Sequence, residues 1–525
     1  MDRPNVFNSV LAQRPGRNNF DLSHDVKMSF NMGYLVPTAL LEVVPGDAFN
    51  IQQQNLLRFA PLVSPLMHRV DVKCYWFFVP NRLLWPNWEN FISPTEEADN
   101  DIVPPTLNYP STAVPEGSLA DYLGIPIGTS FNLNPSALPF AAYCKIWDEY
   151  FRDQNLQDEI YITLTDGDNY AGYSALANGL PQKIAWGHDY FTSALPWAQK
   201  GDAVTIPLIQ NDTIPLVGTS GTFAQMVQRR SADGTFYAAA GSVDTNASGN
   251  TISSNGPLGI FLDPNGTLGV TDLQSTAATI ETLRSAFRLQ EFLERDAVGG
   301  TRYIETIYNH FGVKSSDSRL NRPEVIGMFK GNMVISEVLQ TSESGPGTTD
   351  TPQGNMAGHG ISVNGGRGMN YYAEEHGFII GLMAVTPKTA YQDGLARKWT
   401  RTSRLDYFWP SFQHIGEQEI LNKEVLWNHS DPEGTFGYTP RYAEYKYEQS
   451  RVAGEMRTSL NYWHLGRIFE SGANEPDLNS DFIEANPRTD IFAVLDPNIT
   501  DNIYAHVIHN IRASRLMAFY GRPLM

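Results

Sequence analysis

The strand-like runs in this chain are short and far apart, and that spacing limits its possible folds more than any other feature. From Asp25 to Asn31 the residues alternate: Val26, Met28, Phe30 and Met32 share one face, and Asp25, Lys27, Ser29 and Asn31 the other, as in a half-buried strand. Ala39 to Val44 gives a second run, closed by Pro45-Gly46. Arg69 to Val79 is the strongest, with Val70, Val72, Cys74, Trp76 and Phe78 opposed to Arg69, Asp71, Lys73, Tyr75 and Phe77, and Pro80-Asn81 ends it. Phe378 to Val385 is continuously apolar, as expected of a strand buried on both faces. At that length it is far too short to cross a bilayer, so no membrane insertion is expected. Between these runs lie connections of tens of residues, whereas connections in compact domains are roughly 4–6 residues long. Connections of that size need a purpose, and contacts between subunits supply one.

The connections have distinct characters. Residues 80–138 are Pro-rich and irregular, interrupted by a short helix at Ser118 to Leu123 that Ser118 caps and Gly124 stops. Pro139 opens a stronger helix in which Phe140, Tyr143, Cys144, Trp147, Tyr150 and Phe151 follow the three-and-four spacing of a buried face. Residues 207–275 are rich in Gly, Ser, Thr and Ala and poor in charge, with β-like pieces at Thr222 to Val227, Thr235 to Ala239 and Gly259 to Leu262; they read as an ordered β-rich excursion. Two helices follow. Thr276 to Ala297 has Ile280, Leu283, Phe287 and Leu293 on one face; Thr301 to Phe311 has Ile304, Ile307 and Phe311, with Gly312 as its stop. Met333 to Gln340 reads as a strand, 341–370 as a Gly-rich loop, and GEQEILNKE (416–424) as a polar helix-like stretch. Residues 1–24, polar and rich in Asn and Arg, read as an extended N-terminal arm without the apolar region of a secretory signal.

Composition narrows the function classes. Of 525 residues 42% are hydrophobic, enough for a large core, and 12% are aromatic, the surface that large protein–protein contacts use. The net charge of −19 excludes a free-standing nucleic-acid binder, because such binding works by counterion release at Lys and Arg. If the chain encloses nucleic acid, a separate small basic protein is expected to neutralise it, or a local basic patch to face it. The two cysteines, Cys74 and Cys144, read as buried hydrophobes and suit a reducing cytoplasm.

No metal-ligand spacing, phosphate loop or nucleophile elbow is present, so no catalytic, metal or cofactor site is expected. His188 and Asp189 are adjacent, and adjacent side chains point apart. His506 and His509 lack nearby Cys or carboxylate ligands in the sequence. Gly365-Gly366-Arg367-Gly368 lacks the Gly-Lys-Ser/Thr of a phosphate loop and reads as a surface turn. The densest chemistry lies in 388–424. There Arg397, Lys398, Arg401 and Arg404 surround Trp399, and Tyr407-Phe408-Trp409-Pro410 follows. The cations suit phosphates and Trp399 suits a stacked base, with Arg512 and Arg515 as second candidates for contact with single-stranded nucleic acid. The opposing reading is that these cations form ion pairs within the subunit.

The block at 388–424 resembles the major capsid proteins of the gokushovirus group of small single-stranded DNA phages (Microviridae). So does LERDAVGGTRYIETIYNHFGVKSSDSRLNRPE (293–324), although Val298 stands where the family commonly has Arg and Ser316 where it has Pro. The 438–470 segment matches at Arg441, Tyr442, Tyr445, Lys446, Gly454, Leu460, Trp463, His464 and Phe469. The 188–204 segment shows the family's Pro-Trp and Lys-Gly pattern. The resemblance covers 1–205 and 276–525 in patches and lapses across 207–275. It implies a mainly β fold: an eight-stranded antiparallel jelly-roll sandwich with very long inter-strand insertions containing a few helices, spanning 25–525 as one domain. It further implies a sixty-copy T=1 shell around circular single-stranded DNA, assembled in the bacterial cytoplasm. The partners it implies are a small basic internal DNA-binding protein, a pilot protein and a host cell-surface receptor.

The insertion 207–275 is then expected to be an outward protrusion for host attachment. In the family such an insertion clusters as a projection at the three-fold axes. Phe223, Met226, Val227, Phe236, Tyr237, Ile260, Phe261 and Leu262 are its candidate contact residues. Two other readings compete. Ten Trp and an acidic balance suit a carbohydrate-binding or carbohydrate-active β-sandwich, but the neighbouring pairs Asp148-Glu149 and Glu374-Glu375 do not establish the two-sided geometry that glycoside hydrolysis needs. A phage spike adhesin would carry internal repeats, and none is visible.

Overall fold

The computed structural model describes residues 16–93, 102–109, 114–128, 134–202, 204, 280–300, 302–341, 354–472, 475–493 and 500–520, with the backbone of short strands between 227 and 262. The chain forms two compact units, Met1–Lys200 with Glu294–Met525, and Gly201–Leu293.

The larger unit is built on two antiparallel sheets. Its strands are β1 (Asn18–Asp21), β2 (His24–Phe30), β3 (Val36–Val43), β4 (Ala48–Phe59) and β5 (Val70–Pro80), then β11 (Glu324–Asn332), β12 (Val334–Leu339), β13 (Met356–Gly365), β14 (Met369–Tyr372), β15 (Gly377–Pro387), β16 (Glu417–Leu421), β17 (Thr435–Pro440) and β18 (Ile503–Arg515). A seven-stranded sheet runs β1-β18-β4-β13-β12, with β2 also on β18 and β14 also on β4; a four-stranded sheet runs β11-β5-β15-β3. The two sheets face each other. Leu57 and Phe59 of β4 and Val507 of β18 share one core with Val72, Cys74 and Val385. Phe49, Ile51 and Ile511 share another with Trp76, Phe78 and Ile379.

The outer face of the four-stranded sheet is covered as well. Helices α1 (Trp88–Ile92), α2 (Leu119–Tyr122), α3 (Leu138–Tyr150) and α4 (Tyr170–Asn178) belong to the long connection after β5. Phe140, Tyr143, Cys144 and Trp147 of α3 pack against Phe77, Val79, Ile380 and Leu382. Ser118 caps α2 by accepting from the Asp121 N–H, and Gly124 follows with φ +99°. Both cysteines are free and buried. Strand β5 is covered on both faces, because α3 lies over Tyr75 and Phe77.

Two expectations change. The expected loop at 341–370 contains a ten-residue strand, β13, paired with β12 and β4. Its glycines permit close approach rather than flexibility: a Cβ at Gly358 would lie 2.4 Å from the Ser64 carbonyl oxygen. The helix-like 416–424 is strand β16 followed by one turn, α7 (Asn422–Val425), since pairing with β17 overrides the helix propensity of Glu and Gln. The two helices near 300 exist, as α5 (Ile280–Gly299) and α6 (Tyr303–Phe311), but their apolar faces are not core. Phe287 is 63% exposed and Phe311 76%. The remaining helix, α8 (Ser480–Ile483), is a single turn.

Taken by itself, the smaller unit contains a sheet ordered β10 (Ile260–Leu262), β6 (Val227–Arg230), β7 (Phe236–Tyr237), and a separate pair β8 (Asp244–Thr245) and β9 (Ile252–Ser253). Phe223 and Met226 lie outside the described residues, as do residues 1–15 of the expected arm. Asn18–Asp21 of that stretch pairs with the end of β18.

Candidate functional site

The basic–aromatic block at 397–413 folds as three short 3-10 turns, Arg397–Trp399, Arg404–Asp406 and Pro410–Phe412. Ser403 starts the second turn by accepting from the Leu405 N–H, and the Asp406 carboxylate accepts from the N–H groups of Thr402 and Ser403. Those hydrogen bonds hold the Asp406 carboxyl below its usual range.

Most of the cations here are engaged within the subunit. Arg397 donates to the Glu419 carbonyl at 2.7 Å and stands 3.7 Å from the buried Glu424 carboxylate. Burial pushes the Glu424 carboxyl up, against the pull of Arg397 and of the Leu421 N–H and Tyr190 hydroxyl that donate to it. Lys398 meets Glu448 at 2.6 Å. Arg401 lies 3.4 Å from Glu444, and its guanidinium sits over the Tyr445 ring at 4.3 Å and the Tyr407 ring at 5.5 Å. Glu444 also accepts from Gln418 at 2.6 Å. Arg404 is exposed and contributes its carbonyl to the Trp409 indole N–H. Of the two C-terminal candidates, Arg515 is tied to Asp47 and the Glu42 carbonyl, whereas Arg512 is exposed on β18, opposite Asp21 of β1. The seven candidates thus separate into internally paired groups and three open ones: Trp399, Arg404 and Arg512.

The backbone of the Phe408–Trp409 run is fixed by hydrogen bonds while several rings around it stay accessible. The Tyr445 and Tyr442 hydroxyls accept from the backbone N–H groups of Phe408 and Trp409. Trp399 is 73% exposed and Trp427 66%, and Tyr407, Phe408 and Trp409 are open too. A backbone held this way loses little further freedom on meeting a partner, which favours its use in interfaces. The protrusion candidates Val227, Phe236, Tyr237 and Ile260, Phe261, Leu262 fall on three paired strands, β6, β7 and β10.

Two arrangements were not read from the sequence. Arg467 donates to the Phe482 carbonyl and sits among four rings, 4.0 Å from Phe482, 5.1 Å from Phe469, 5.4 Å from Trp186 and 5.8 Å from Tyr391. No sequence signal marks it. Arg69, Lys330 and Lys388 gather on Asp71 at the start of β5, beside Lys73. Charged residues inside an otherwise apolar strand were the signal available there. Asp189 is buried in its own turn, accepting from the Phe191 and Thr192 N–H groups, while His188 is exposed, so the two form no dyad. His506 and His509 point to opposite sides of β18, one partly exposed and one buried.

A β-sandwich that sends its aromatic residues out on long connections is the design of a shell-building coat protein. The capsid protein (F protein) family matches residues 8–525, and the chain belongs to that family. Capsid protein VP1 of Bdellovibrio phage phiMH2K is 39% identical over 98% of this chain and 97% of that protein. The VP1 proteins of Chlamydia phage 1 and Spiroplasma virus 4 are 34% and 30% identical, each over 99% of this chain and 97% of theirs. All three relatives are Microviridae coat proteins, and this chain is a structural component of a virion.

Proposed function

We propose that sixty copies of this chain close into a T=1 icosahedral shell around a circular single-stranded DNA genome, with an eight-stranded jelly roll as the core of each copy. The observation that carries the reading is the ordered apolar surface left outside both cores, in particular Trp399, Trp427, Tyr303, Tyr308 and Phe311. Soluble monomers rarely expose this much, and interfaces of roughly 1,200–2,000 Å² use such anchors. The facing seven- and four-stranded antiparallel sheets support the jelly roll. With a net charge of −19, the shell relies on a small basic internal protein to neutralise most of the genome. The insertion 207–275, which falls in the smaller unit, serves host attachment through the surface carried by β6, β7 and β10.

Negative-stain microscopy of the purified protein tests the assembly reading. Closed particles are expected from the native chain, and free subunits from Trp427→Asp with Phe311→Asp. A native protein that stays in small open oligomers under assembly conditions rejects it. Replacing 207–275 by a Gly-Ser linker tests attachment: particles should form but not adsorb to host cells, and normal adsorption removes the attachment role.

A further inference from the structure

The outward face of β5 changes character along its length. Tyr75 and Phe77 lie under the end of α3, with Phe151 5.0 Å from the Tyr75 ring and Tyr150 4.8 Å from the Phe77 ring. Two residues earlier the same face carries Lys73, then Asp71, then Arg69. The register places Lys73 directly opposite Lys330 of β11, and Asp71 opposite Thr386 of β15. Lys388, just past β15, is anchored by its N–H to the Arg69 carbonyl at 2.9 Å.

Asp71 is the shared acid of this group. Its carboxylate meets the Lys330 ammonium at 2.7 Å, Lys388 at 3.3 Å and the Arg69 guanidinium at 3.4 Å. Burial opposes its ionisation, and the two lysines outweigh burial, so it stays below the usual carboxylate range. The Lys73 ammonium forms no hydrogen bond or ion pair among the described residues. Burial holds it below the ordinary lysine range, and Lys388 and Lys330 add to this against the attraction of Asp71. Like charges directly opposite in a ladder destabilise a sheet. Three cations on one carboxylate, with Lys73 beside them, leave positive charge in excess, in a chain that is strongly acidic overall.

Arg69, Asp71, Lys73 and Lys388 border a cavity of about 600 Å³, lined also by Arg451, Tyr447 and His464. Its other carboxylate, Asp189, is already occupied by two backbone N–H groups and the Tyr391 hydroxyl. The contrast with 397–401 is direct. There Arg397, Lys398 and Arg401 have Glu424, Glu448 and Glu444 as separate partners.

We propose that the cleft bounded by Arg69, Lys73, Lys388 and Arg451 binds the phosphodiester backbone of single-stranded nucleic acid, with Tyr447 placed to stack a base. The proposal rests on the genome-enclosing reading above and locates its contact. A polyanion suits the site better than a single carboxylate from a neighbouring copy, because one carboxylate leaves most of the excess charge uncompensated. Aromatic walls beside cations are the common means of holding single strands without sequence preference.

Fluorescence anisotropy with a labelled oligothymidylate tests this on purified full-length protein. Lys73→Gln and Lys388→Gln should each weaken binding several-fold at low salt. Each should also reduce the slope of log K against log salt by about 0.7, the value for one phosphate contact on a single strand. Lys398→Gln should bind as the native chain does. Lys73→Gln should keep the native melting temperature, since it removes an opposed charge, so weakened binding cannot be ascribed to unfolding. Unchanged affinity in both cleft variants overturns the proposal and leaves the genome reading intact. A native chain that does not bind also overturns it, and the DNA content of purified particles then decides the genome reading separately. Cleft variants that bind DNA normally but no longer form particles would show the occupant to be a neighbouring subunit's carboxylate, which again overturns it.

Discussion

The Trp76 indole N–H donates to the Gln53 side-chain oxygen at 2.8 Å, joining the four-stranded sheet to the seven-stranded one through the middle of the sandwich. The contact belongs to a chain of buried polar groups. The Gln53 amide donates to Asn55 at 2.8 Å, and Asn55 donates to Cys74 Sγ at 3.1 Å and to Asn364 at 3.0 Å. A satisfied network of this kind fixes one register between sheets, because every alternative orphans a buried polar atom.

Gln53→Leu should therefore destabilise the subunit by about 1–3 kcal/mol, the range for leaving a buried hydrogen-bonding group without its partner. Trp76→Phe should destabilise it too. The double variant should cost less than the two singles together, because the second change removes a group the first had already orphaned. Denaturant midpoints of the four proteins give the coupling, and strict additivity would show that the contact contributes nothing.

His509 sets an acid limit on the sandwich. Its ring is fully buried against Trp76 and His24, and its Nε2–H donates to the Thr38 carbonyl at 3.0 Å. Burial, then the nearby His24, pushes its pKa down to about 4 from the ordinary 6.5. Between those values the unfolded chain takes up a proton that the folded one refuses, so stability falls as pH drops from 6.5 towards 4. His509→Gln should flatten the melting temperature across that interval.

Glu417 contributes the opposite slope. Burial, then the Glu294 carboxylate, raises its pKa from 4.5 to about 7. The folded chain holds this proton where the unfolded one has released it, so the contribution favours folding least above pH 7 and declines as pH rises from 4.5. Glu417→Gln should raise the melting temperature at pH 8 and leave it little changed at pH 4. Equal shifts at both pH values would contradict the assignment.

Two glycines of β13 separate backbone approach from tolerance. At Gly358 a Cβ would lie 2.4 Å from the Ser64 carbonyl oxygen, whereas at Gly365 the nearest atom is 3.5 Å away on the flexible Gln54 side chain. Gly358→Ala should cost about 1–3 kcal/mol, in the usual range for a forced clash. Gly365→Ala should change little. Urea titration of both variants checks the contrast.

The parts of the fold that follow hydrophobic patterning were legible: β2 and β5 from alternation, and β3 and β15 from short apolar runs, stand close to where the pattern puts them. Strand β4 alternates perfectly in burial, but two of its inward positions are Gln53 and Asn55, so apolar periodicity misses it. Strand β13 is hidden by the glycines that let it approach Phe59 and Ser64. The basic block was visible, yet its internal partners Glu424, Glu444 and Glu448 were not, because ion pairing depends on how the 438–450 segment folds back. The cation group at Lys73, Lys330 and Lys388 needs the register of three strands before it exists at all.

Strand β18 lies between β4 on one side and β1 and β2 on the other, so an interior position of the larger sheet is filled by residues 503–515 while its neighbours lie within the first sixty. During synthesis β2 and β4 emerge early and wait, with open hydrogen-bonding edges, for a strand that starts only at Ile503. Late closure of this kind makes folding slow and leaves the nascent chain exposed to misassociation. It also acts as a length check: a prematurely terminated polypeptide lacks the strand that joins the sheet together, and so cannot offer its siblings a finished surface on which to build.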